Sequence, residues 1–170
     1  MTRNNAREIA VHLVFGLEFG ARSAEEVLKS ELSRERFETL GQESPLYAQY
    51  PNEKQREYIR ALVEGVYAHG EELDAYISRY AVGWSLNRIP RMARAILRTA
   101  MYEVLYMPDV PNASAIDAAV ELTKQYEPQE VASFVNGILG TFVRTELPDE
   151  PAGEQAEPED GGEEAPGGEA

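Results

Sequence analysis

Apolar residues recur at intervals of three and four along most of this chain, which is the spacing of amphipathic α-helices. The first such segment is predicted to begin at Asn4 or Asn5, either of which can serve as its N-cap, and to end at Gly20. A second helix is predicted from the capping-box sequence that begins at Ser23, and a third begins after the N-cap residue Asn52. The amino-terminal half is therefore expected to contain three helices.

Four further segments with helical spacing follow in the second half of the chain. A short fourth helix follows Gly70, and a fifth runs from about Pro90 to Tyr106. Ser114 is predicted to cap a sixth helix, and the seventh covers residues 131–143. No segment shows a sustained alternation of β-branched residues with period two, so strands are not expected. The pattern predicts an all-α fold of about seven helices with short connections.

The segment "FVNGIL" over 134–139 contains the dipeptide Asn136-Gly137, which is typical of a hairpin turn when it lies between apolar residues. The surrounding apolar residues keep helical spacing, so we predict a helix that carries a glycine at a cost of about 1 kcal/mol relative to alanine. Beside the apolar face of this helix lies a strip of small residues, which consists of Ser133, Gly137, Gly140 and Thr141. The strip either packs closely against a neighbouring helix, which is the interpretation we favour, or is open to a ligand.

The acidic excess of the chain is concentrated at its carboxyl-terminal end. The 170 residues carry a formal net charge of −14, and residues 148–170 contain nine acidic residues, four Pro, five Gly and no Lys or Arg. Such a composition buries too little apolar surface to offset the entropy of ordering. We therefore predict a disordered acidic tail over 148–170 and one helical domain over 1–147, which is long enough to hold a core.

Several functional classes receive no support from the sequence. No apolar run is long enough to cross a membrane, the amino terminus lacks the features of a secretory signal, and cysteine is absent, which together favour the cytoplasm. The two histidines, His12 and His69, lack the spacing of metal ligands, and Glu8 with His12 is interpreted as a surface pair. No nucleotide-binding or nucleophile motif occurs. We therefore expect neither an enzyme nor a metal or cofactor site.

Residues 81–102 contain no acidic residue but carry several arginines. Arg91, Arg94 and Arg98 are spaced three and four apart, so they lie on one stripe of the fifth helix. A basic stripe is suited to an acidic partner or to phosphate, and we assign Arg91 and Arg94 to a protein partner. The alternative is internal pairing of these arginines. The carboxylates considered for such pairing are Glu64, Glu71, Glu72 and Glu103.

Two segments carry a family resemblance: "AREIAVHLVF" over 6–15 and "ILRTAMYEVLYMPDVPNASAIDAAVELTKQYEPQEVASFVNGILG" over 96–140. Together with the all-helical plan, they resemble the NusB family of transcription antitermination factors over about residues 3–143. The resemblance implies two three-helix bundles packed together. It also implies binding of boxA RNA jointly with the ribosomal protein NusE in the transcription elongation complex, which serves ribosomal RNA transcription and ribosome assembly.

The resemblance further implies an RNA-binding surface formed by the amino-terminal segment and the helix that contains "FVNG". One departure is that Asn4 and Asn5 stand where family members usually carry basic residues, and each lost phosphate contact weakens binding. We therefore expect weak RNA binding by the chain alone, and the acidic tail is expected to compete with RNA for the basic patch. The positions that match the RNA-binding residues of the family are Arg3, Arg7, Phe15, Lys124, Glu130 and Phe134.

Two other functions are compatible with the same residues. One is a NusB-like helical scaffold that binds protein only. The other is a detached domain of the kind found at the amino terminus of some RNA cytosine methyltransferases. That enzyme would need a large Rossmann-type domain after residue 147, where this sequence is of low complexity. The leading hypothesis is a non-enzymatic factor that binds both RNA and protein.

Overall fold

The computed structural model describes residues 1–148, and all regular secondary structure in this range is helical. Two 3₁₀ turns, at Pro45–Tyr47 and Leu86–Arg88, lie in the connections. The predicted all-α fold is confirmed, with eight α-helices in this range where about seven were expected. They are α1 (Arg3–Leu17), α2 (Ala24–Glu31), α3 (Arg34–Gly41), α4 (Glu53–Ala68), α5 (Gly70–Tyr80), α6 (Arg91–Tyr106), α7 (Asn112–Tyr126) and α8 (Gln129–Glu146).

The helix starts show which capping residues the sequence identified correctly. Ser23 and Asn52 each form a complete capping box, with Glu26 and Gln55 at the third helical position, as predicted for α2 and α4. The N-cap of α1 is Thr2, whose side chain accepts a hydrogen bond from the backbone N–H of Asn5 at 3.0 Å. The prediction of an asparagine cap for α1 was wrong by two or three residues.

Two other predicted boundaries were also wrong. Helix α7 begins at Asn112 directly after Pro111, so Ser114 lies inside its first turn and is not its cap. Pro111 is the N-cap residue, and its carbonyl oxygen accepts from the backbone N–H of Ala115 at 3.1 Å, so the helix starts without a side-chain cap. Helix α1 ends at Leu17, and Gly20 lies beyond it.

Six of the eight helices form two bundles of three that pack on each other, as the resemblance implied, while α3 contacts α2 and α5 contacts α6 and α8. Helices α1, α2 and α4 contact one another in the first bundle, and α6, α7 and α8 do so in the second. Helix α6 also contacts α1 and α4, so it joins the bundles. Its residues Leu97 and Met101 are fully buried, together with Ile59 of α4 and Phe142 of α8. The core is therefore continuous through α6.

Helices α4 and α6 approach each other closely at a glycine. A Cβ atom on Gly65 would lie 2.0 Å from Cζ of Tyr102, which is too short for any side chain at this position. The absence of a side chain at Gly65 thus leaves room for the Tyr102 ring against α4. This contact contributes to the close packing of α4 on α6.

Helix α3 was not predicted. Ser33 caps it, but Phe37 is its only buried residue, so the apolar period is too sparse to be recognised. Within the described range no helix is long and apolar enough to span a membrane. The predicted acidic tail lies outside the described residues, except for Pro148.

Candidate nucleic-acid interface

The start of α1 presents one exposed cation on a helix end that already favours anions. Arg3 is the first residue of α1 and is exposed, and the first turn contains no acidic residue. Its guanidinium carbon lies 4.3 Å from the centre of the Tyr58 ring, a cation–π contact that holds the side chain near the surface. The unpaired N–H groups of the first turn and the guanidinium together make this end suitable for phosphate.

Arg7 lies one turn further along α1 but points into the protein. Its side chain is 4% exposed, and Nε and Nη2 donate to Oε1 and Oε2 of Glu103 at 2.8 and 2.9 Å. Tyr58 also donates to Glu103, at 2.5 Å, and Nη1 of Arg7 donates to Asn4 at 2.5 Å. Arg7 therefore joins α1 to α6 through Glu103, and only a small part of its side chain reaches the cleft at the start of α1. Its assignment to RNA stays a prediction.

Opposing effects act on the pKa of the buried Arg7 guanidinium. Burial alone would lower the pKa of Arg7, but the hydrogen bonds and the charge of Glu103 outweigh it, and the pKa is raised. Burial raises the pKa of Tyr58, and the neighbouring carboxylate of Glu103 raises it further. Tyr58 therefore stays neutral and donates to a carboxylate that is also bound by Arg7.

Two clefts extend from the start of α1 to the outer face of α8. The first has a volume of about 670 Å³ and is lined by Arg3, Ser114, Asp117 and Glu121, among others. The second, of about 500 Å³, lies between α7 and α8. Asp117 and Glu121 line both clefts, so they adjoin. The second cleft is lined by Asp117, Val120, Glu121, Lys124, Gln129, Ala132, Ser133 and Asn136.

The charged residues near the second cleft are exposed and only weakly paired. Nζ of Lys124 lies 3.4 Å from Glu121, and the two side chains are 44% and 71% exposed. An exposed pair of this kind contributes little, so Lys124 can exchange this partner for a phosphate. Glu130 lies in the first turn of α8 and is also exposed. Both residues are exposed, and their assignment to RNA stays a prediction.

The outer face of α8 is open. A Cβ atom on Gly137 would meet nothing within 4 Å, and Ser133, Asn136 and Gly137 are all exposed. The favoured interpretation of the small-residue strip, close packing against another helix, was therefore wrong at Gly137. Phe134 lies one turn earlier, partly buried against the core.

The aromatic residues of the predicted surface are only partly exposed. Phe15 packs against the core on α1, and its ring centre lies 4.8 Å from that of Phe19. The ring of Phe134 lies 5.2 Å from that of Trp84, between α5 and α6, with 44° between their planes. Sequence analysis missed Trp84, and the only signal for it was a large aromatic residue directly after a glycine in a loop.

A hydrogen-bond network that the sequence did not reveal joins α1 to α7. Tyr126 donates to Glu8 at 2.6 Å, so His12 Nε2 donates to the Tyr126 oxygen at 2.7 Å, and Nδ1 accepts from Tyr47 at 2.7 Å. Burial lowers the pKa of His12, partly offset by the charge of Glu8, which agrees with a neutral ring in this network. Glu8 and His12 are thus half-buried, not the surface pair expected. No group of residues suited to metal binding occurs within 1–148.

The arginine stripe of α6 is engaged largely by one carboxylate. Nη2 of Arg94 lies 3.0 Å from Glu18, and Arg98 pairs with both Glu18 and Asp74. Arg94 is 11% exposed, so internal pairing holds for this residue, although with carboxylates other than the four considered. Arg91 differs: it is 59% exposed, lies 3.9 Å from Glu18, and covers the ring of Phe19 at 4.9 Å. Only Arg91 of the two assigned residues is accessible to a partner.

Comparison with known proteins places this fold and these motifs in one family. A model described as the NusB family matches residues 4–144. The chain is 40% identical over 147 residues to the transcription antitermination protein NusB of Acetivibrio thermocellus, covering 86% of this chain and 92% of that protein. It is 39% identical to the protein of the same name from Carboxydothermus hydrogenoformans, covering 82% and 91%.

Solved structures agree with this assignment. A structure of T. maritima NusB is 31% identical, with a TM-score of 0.71, and the match covers 85% of this chain and 92% of that one. A structure described as antitermination factors NusB and NusE in complex with dsRNA is 22% identical with a TM-score of 0.67, and it supports the fold alone. The chain belongs to the NusB family of transcription antitermination proteins.

Proposed function

We propose that this chain is a non-enzymatic antitermination factor that binds boxA-type RNA jointly with the ribosomal protein NusE. In this role it acts on the transcription elongation complex in the cytoplasm and promotes ribosomal RNA transcription and ribosome assembly. Family membership and the names of the relatives support the general function. One related structure is described as containing NusB, NusE and dsRNA. The observation on this chain that carries the proposal is the open face of α8 around Gly137.

The two adjoining clefts support a continuous path for a single strand. Arg3 at one end and Lys124 near the other are exposed cations suited to phosphate groups. Phe134 offers a partly exposed ring for stacking, and Glu130 can accept a hydrogen bond from a base amino group. Phe15 supports the surface from α1, and Arg7 positions the start of that helix through Glu103.

The charge of this path explains why we expect the chain to need a protein partner. Asp109, Asp117 and Glu121 line the clefts together with few cations, so phosphate groups meet both attraction and repulsion. A partner that adds basic residues, or that orders the RNA, would offset this repulsion. We assign the partner contact to the start of α6. There Arg91 is exposed, and Arg94 pairs with Glu18, the carboxylate that also lies near Arg91.

Fluorescence anisotropy with an end-labelled boxA-type RNA tests this proposal. The RNA and a scrambled RNA of the same composition are titrated with the chain, with and without NusE, at 50 and 200 mM salt. We expect weak, salt-dependent binding by the chain alone, with tighter and sequence-selective binding when NusE is present. Binding of NusE without any binding of RNA would contradict the proposal and favour a scaffold that binds protein only.

A further inference from the structure

The connection between α5 and α6 holds an aromatic side chain outward on a tight turn. The backbone N–H of Trp84 donates to the carbonyl oxygen of Ala81 at 3.1 Å, which closes a four-residue turn. Gly83, the third residue of this turn, has a φ of +86°, a conformation that favours glycine. Trp84 is 47% exposed although it is the largest side chain of the segment. The turn thus fixes the position of a ring that the core does not bury.

The exposed ring of Trp84 is continuous with the open face of α8. Its centre lies 5.2 Å from that of Phe134, and the two planes are inclined at 44°. Phe134 packs on the core as well, so it links the indole to the body of the protein. One turn beyond Phe134, Gly137 leaves space above the helix. The two rings and the open position at Gly137, one turn along α8, define an exposed aromatic site.

The surroundings of this site favour a nucleobase as its occupant. Residues 81–102 contain no acidic residue, and Arg88, four residues after Trp84, is exposed. On α8 the neighbouring exposed residues are Ser133 and Asn136, with Glu130 one turn before Phe134. Aromatic faces beside arginines and small polar residues are typical of surfaces that stack unpaired bases. An apolar side chain of a protein partner is a less suitable occupant, because the surrounding residues would have to exclude water from it and the exposed ones here are polar.

We propose that Trp84 is a base-stacking residue, on which an unpaired RNA base stacks beside Phe134 and above Gly137. This inference rests on the proposed function, because it assigns one further contact to the same RNA surface. Stacking uses the π face of the base, so Trp84 would contribute affinity with little dependence on salt. The exposed cations of the RNA surface, Arg3 and Lys124, would supply the salt-dependent part.

The composition of the chain makes a direct test practical, because Trp84 is its only tryptophan. Fluorescence excited at the red edge of the absorption band, where the nine tyrosines absorb little, therefore reports on this ring alone. The full-length protein is titrated with unlabelled boxA-type RNA, and free N-acetyltryptophanamide serves as the control for absorption by the RNA. We expect saturable quenching whose midpoint agrees with the Kd from anisotropy of the labelled RNA.

Substitutions then separate stacking from a purely structural role. Trp84→Ala should weaken RNA binding by roughly 5- to 150-fold with an unchanged salt slope, and Trp84→Phe should retain much of the affinity. Val82→Ala is the matched control in the same turn. Val82 is 86% exposed, so this substitution should leave the RNA affinity and Tm unchanged. If Trp84→Ala lowers Tm, Trp84→Leu, which keeps apolar packing on Phe134, takes its place.

The possible outcomes distinguish this inference from the proposed function. RNA binding at wild-type affinity by Trp84→Ala, or by Trp84→Leu where it takes the place of that variant, would overturn the stacking role, whatever the fluorescence shows. Quenching by NusE in the absence of RNA, with RNA affinity unchanged in Trp84→Ala, would assign the ring to the protein partner and overturn it as well. A wild-type chain that binds no RNA, with or without NusE, would contradict the proposed function itself.

Discussion

Arg7 of α1 and Glu103 of α6 form a two-point ion pair in the protein interior, at 2.8 and 2.9 Å, across 96 positions of sequence. Glu103 has no exposed surface, and Arg7 is 4% exposed. Because α6 also belongs to the second bundle, this pair fixes the amino-terminal helix, and with it Arg3, relative to α7 and α8. It therefore sets the geometry of the candidate RNA surface, which Arg7 reaches only with the small exposed part of its side chain.

The first prediction concerns the stability of this pair. Arg7→Ala should lower the free energy of unfolding by about 3–5 kcal/mol, because it leaves the Glu103 carboxylate buried and uncompensated. Urea denaturation measures the change. Replacing both partners, as Arg7→Met with Glu103→Leu, should restore most of the loss. Equal stability of Arg7→Ala and the wild type would show that the pair is not buried in solution.

The second prediction separates the two arginines at the start of α1. Arg3→Ala should weaken all RNAs about equally and reduce the magnitude of the salt slope by about 0.7, the contribution of one single-strand phosphate contact. The Arg7→Met, Glu103→Leu protein should keep the wild-type slope, because Glu103 already neutralises Arg7 and little of the guanidinium is exposed. Anisotropy titrations between 50 and 200 mM salt provide both slopes. A reduced salt slope in the Arg7→Met, Glu103→Leu protein would show that Arg7 contacts phosphate and would contradict this prediction.

A third prediction contrasts two neighbouring residues of α6. Arg91→Glu should weaken NusE binding, less so in high salt, and leave Tm unchanged, because Arg91 is exposed. Arg94→Glu should instead lower Tm, since it places a carboxylate next to Glu18 in a half-buried site. Calorimetry measures the NusE affinity of each variant, and thermal melts measure its Tm, so the two measurements distinguish Arg91→Glu from Arg94→Glu. Unchanged NusE affinity in a folded Arg91→Glu protein would remove this surface from the partner site.

The fourth prediction follows from the pKa of His12. Burial holds this pKa below its value of about 6.5 in the unfolded chain, so the unfolded state binds the proton more readily. The contribution of His12 to stability is therefore present above pH 6.5 and is lost as the pH falls towards the lower pKa of the folded state. The unfolding free energy of the wild type should fall over this range more than that of His12→Gln. Identical pH profiles would contradict the network with Tyr47 and Tyr126.

Helices with many buried apolar residues at helical spacing were predicted from the sequence, and a helix with few such residues was missed. Helix α6, with most of its residues buried, was predicted with nearly correct limits. Helix α3 buries only Phe37 and was missed. Caps depend on one side chain, so neighbouring polar residues compete, as Thr2 does with Asn4 and Asn5. Local patterns thus define the helices better than their ends.

The candidate site was harder to predict because its geometry depends on residues distant in sequence. Whether Arg7 faces solvent depends on Glu103, and no local spacing reveals that pairing. Whether the strip at Gly137 is covered depends on how the bundles pack, so the same sequence fits a buried or an open helix face. Trp84 belongs to no helical period and reaches the site through a turn.

The most direct test of the RNA surface is the measurement of stability and RNA affinity on Gly137→Leu. The site is open, and Leu is the better helix former by about 0.8 kcal/mol, so the variant should be as stable as the wild type or slightly more stable. Its RNA affinity in the presence of NusE should fall at least tenfold, because the side chain occupies the space proposed for a base. Gly65→Ala is the matched control and should lose stability, by about 1–3 kcal/mol, because of its clash with Tyr102. Wild-type RNA affinity in a stable Gly137→Leu protein would contradict the assignment of this face to RNA.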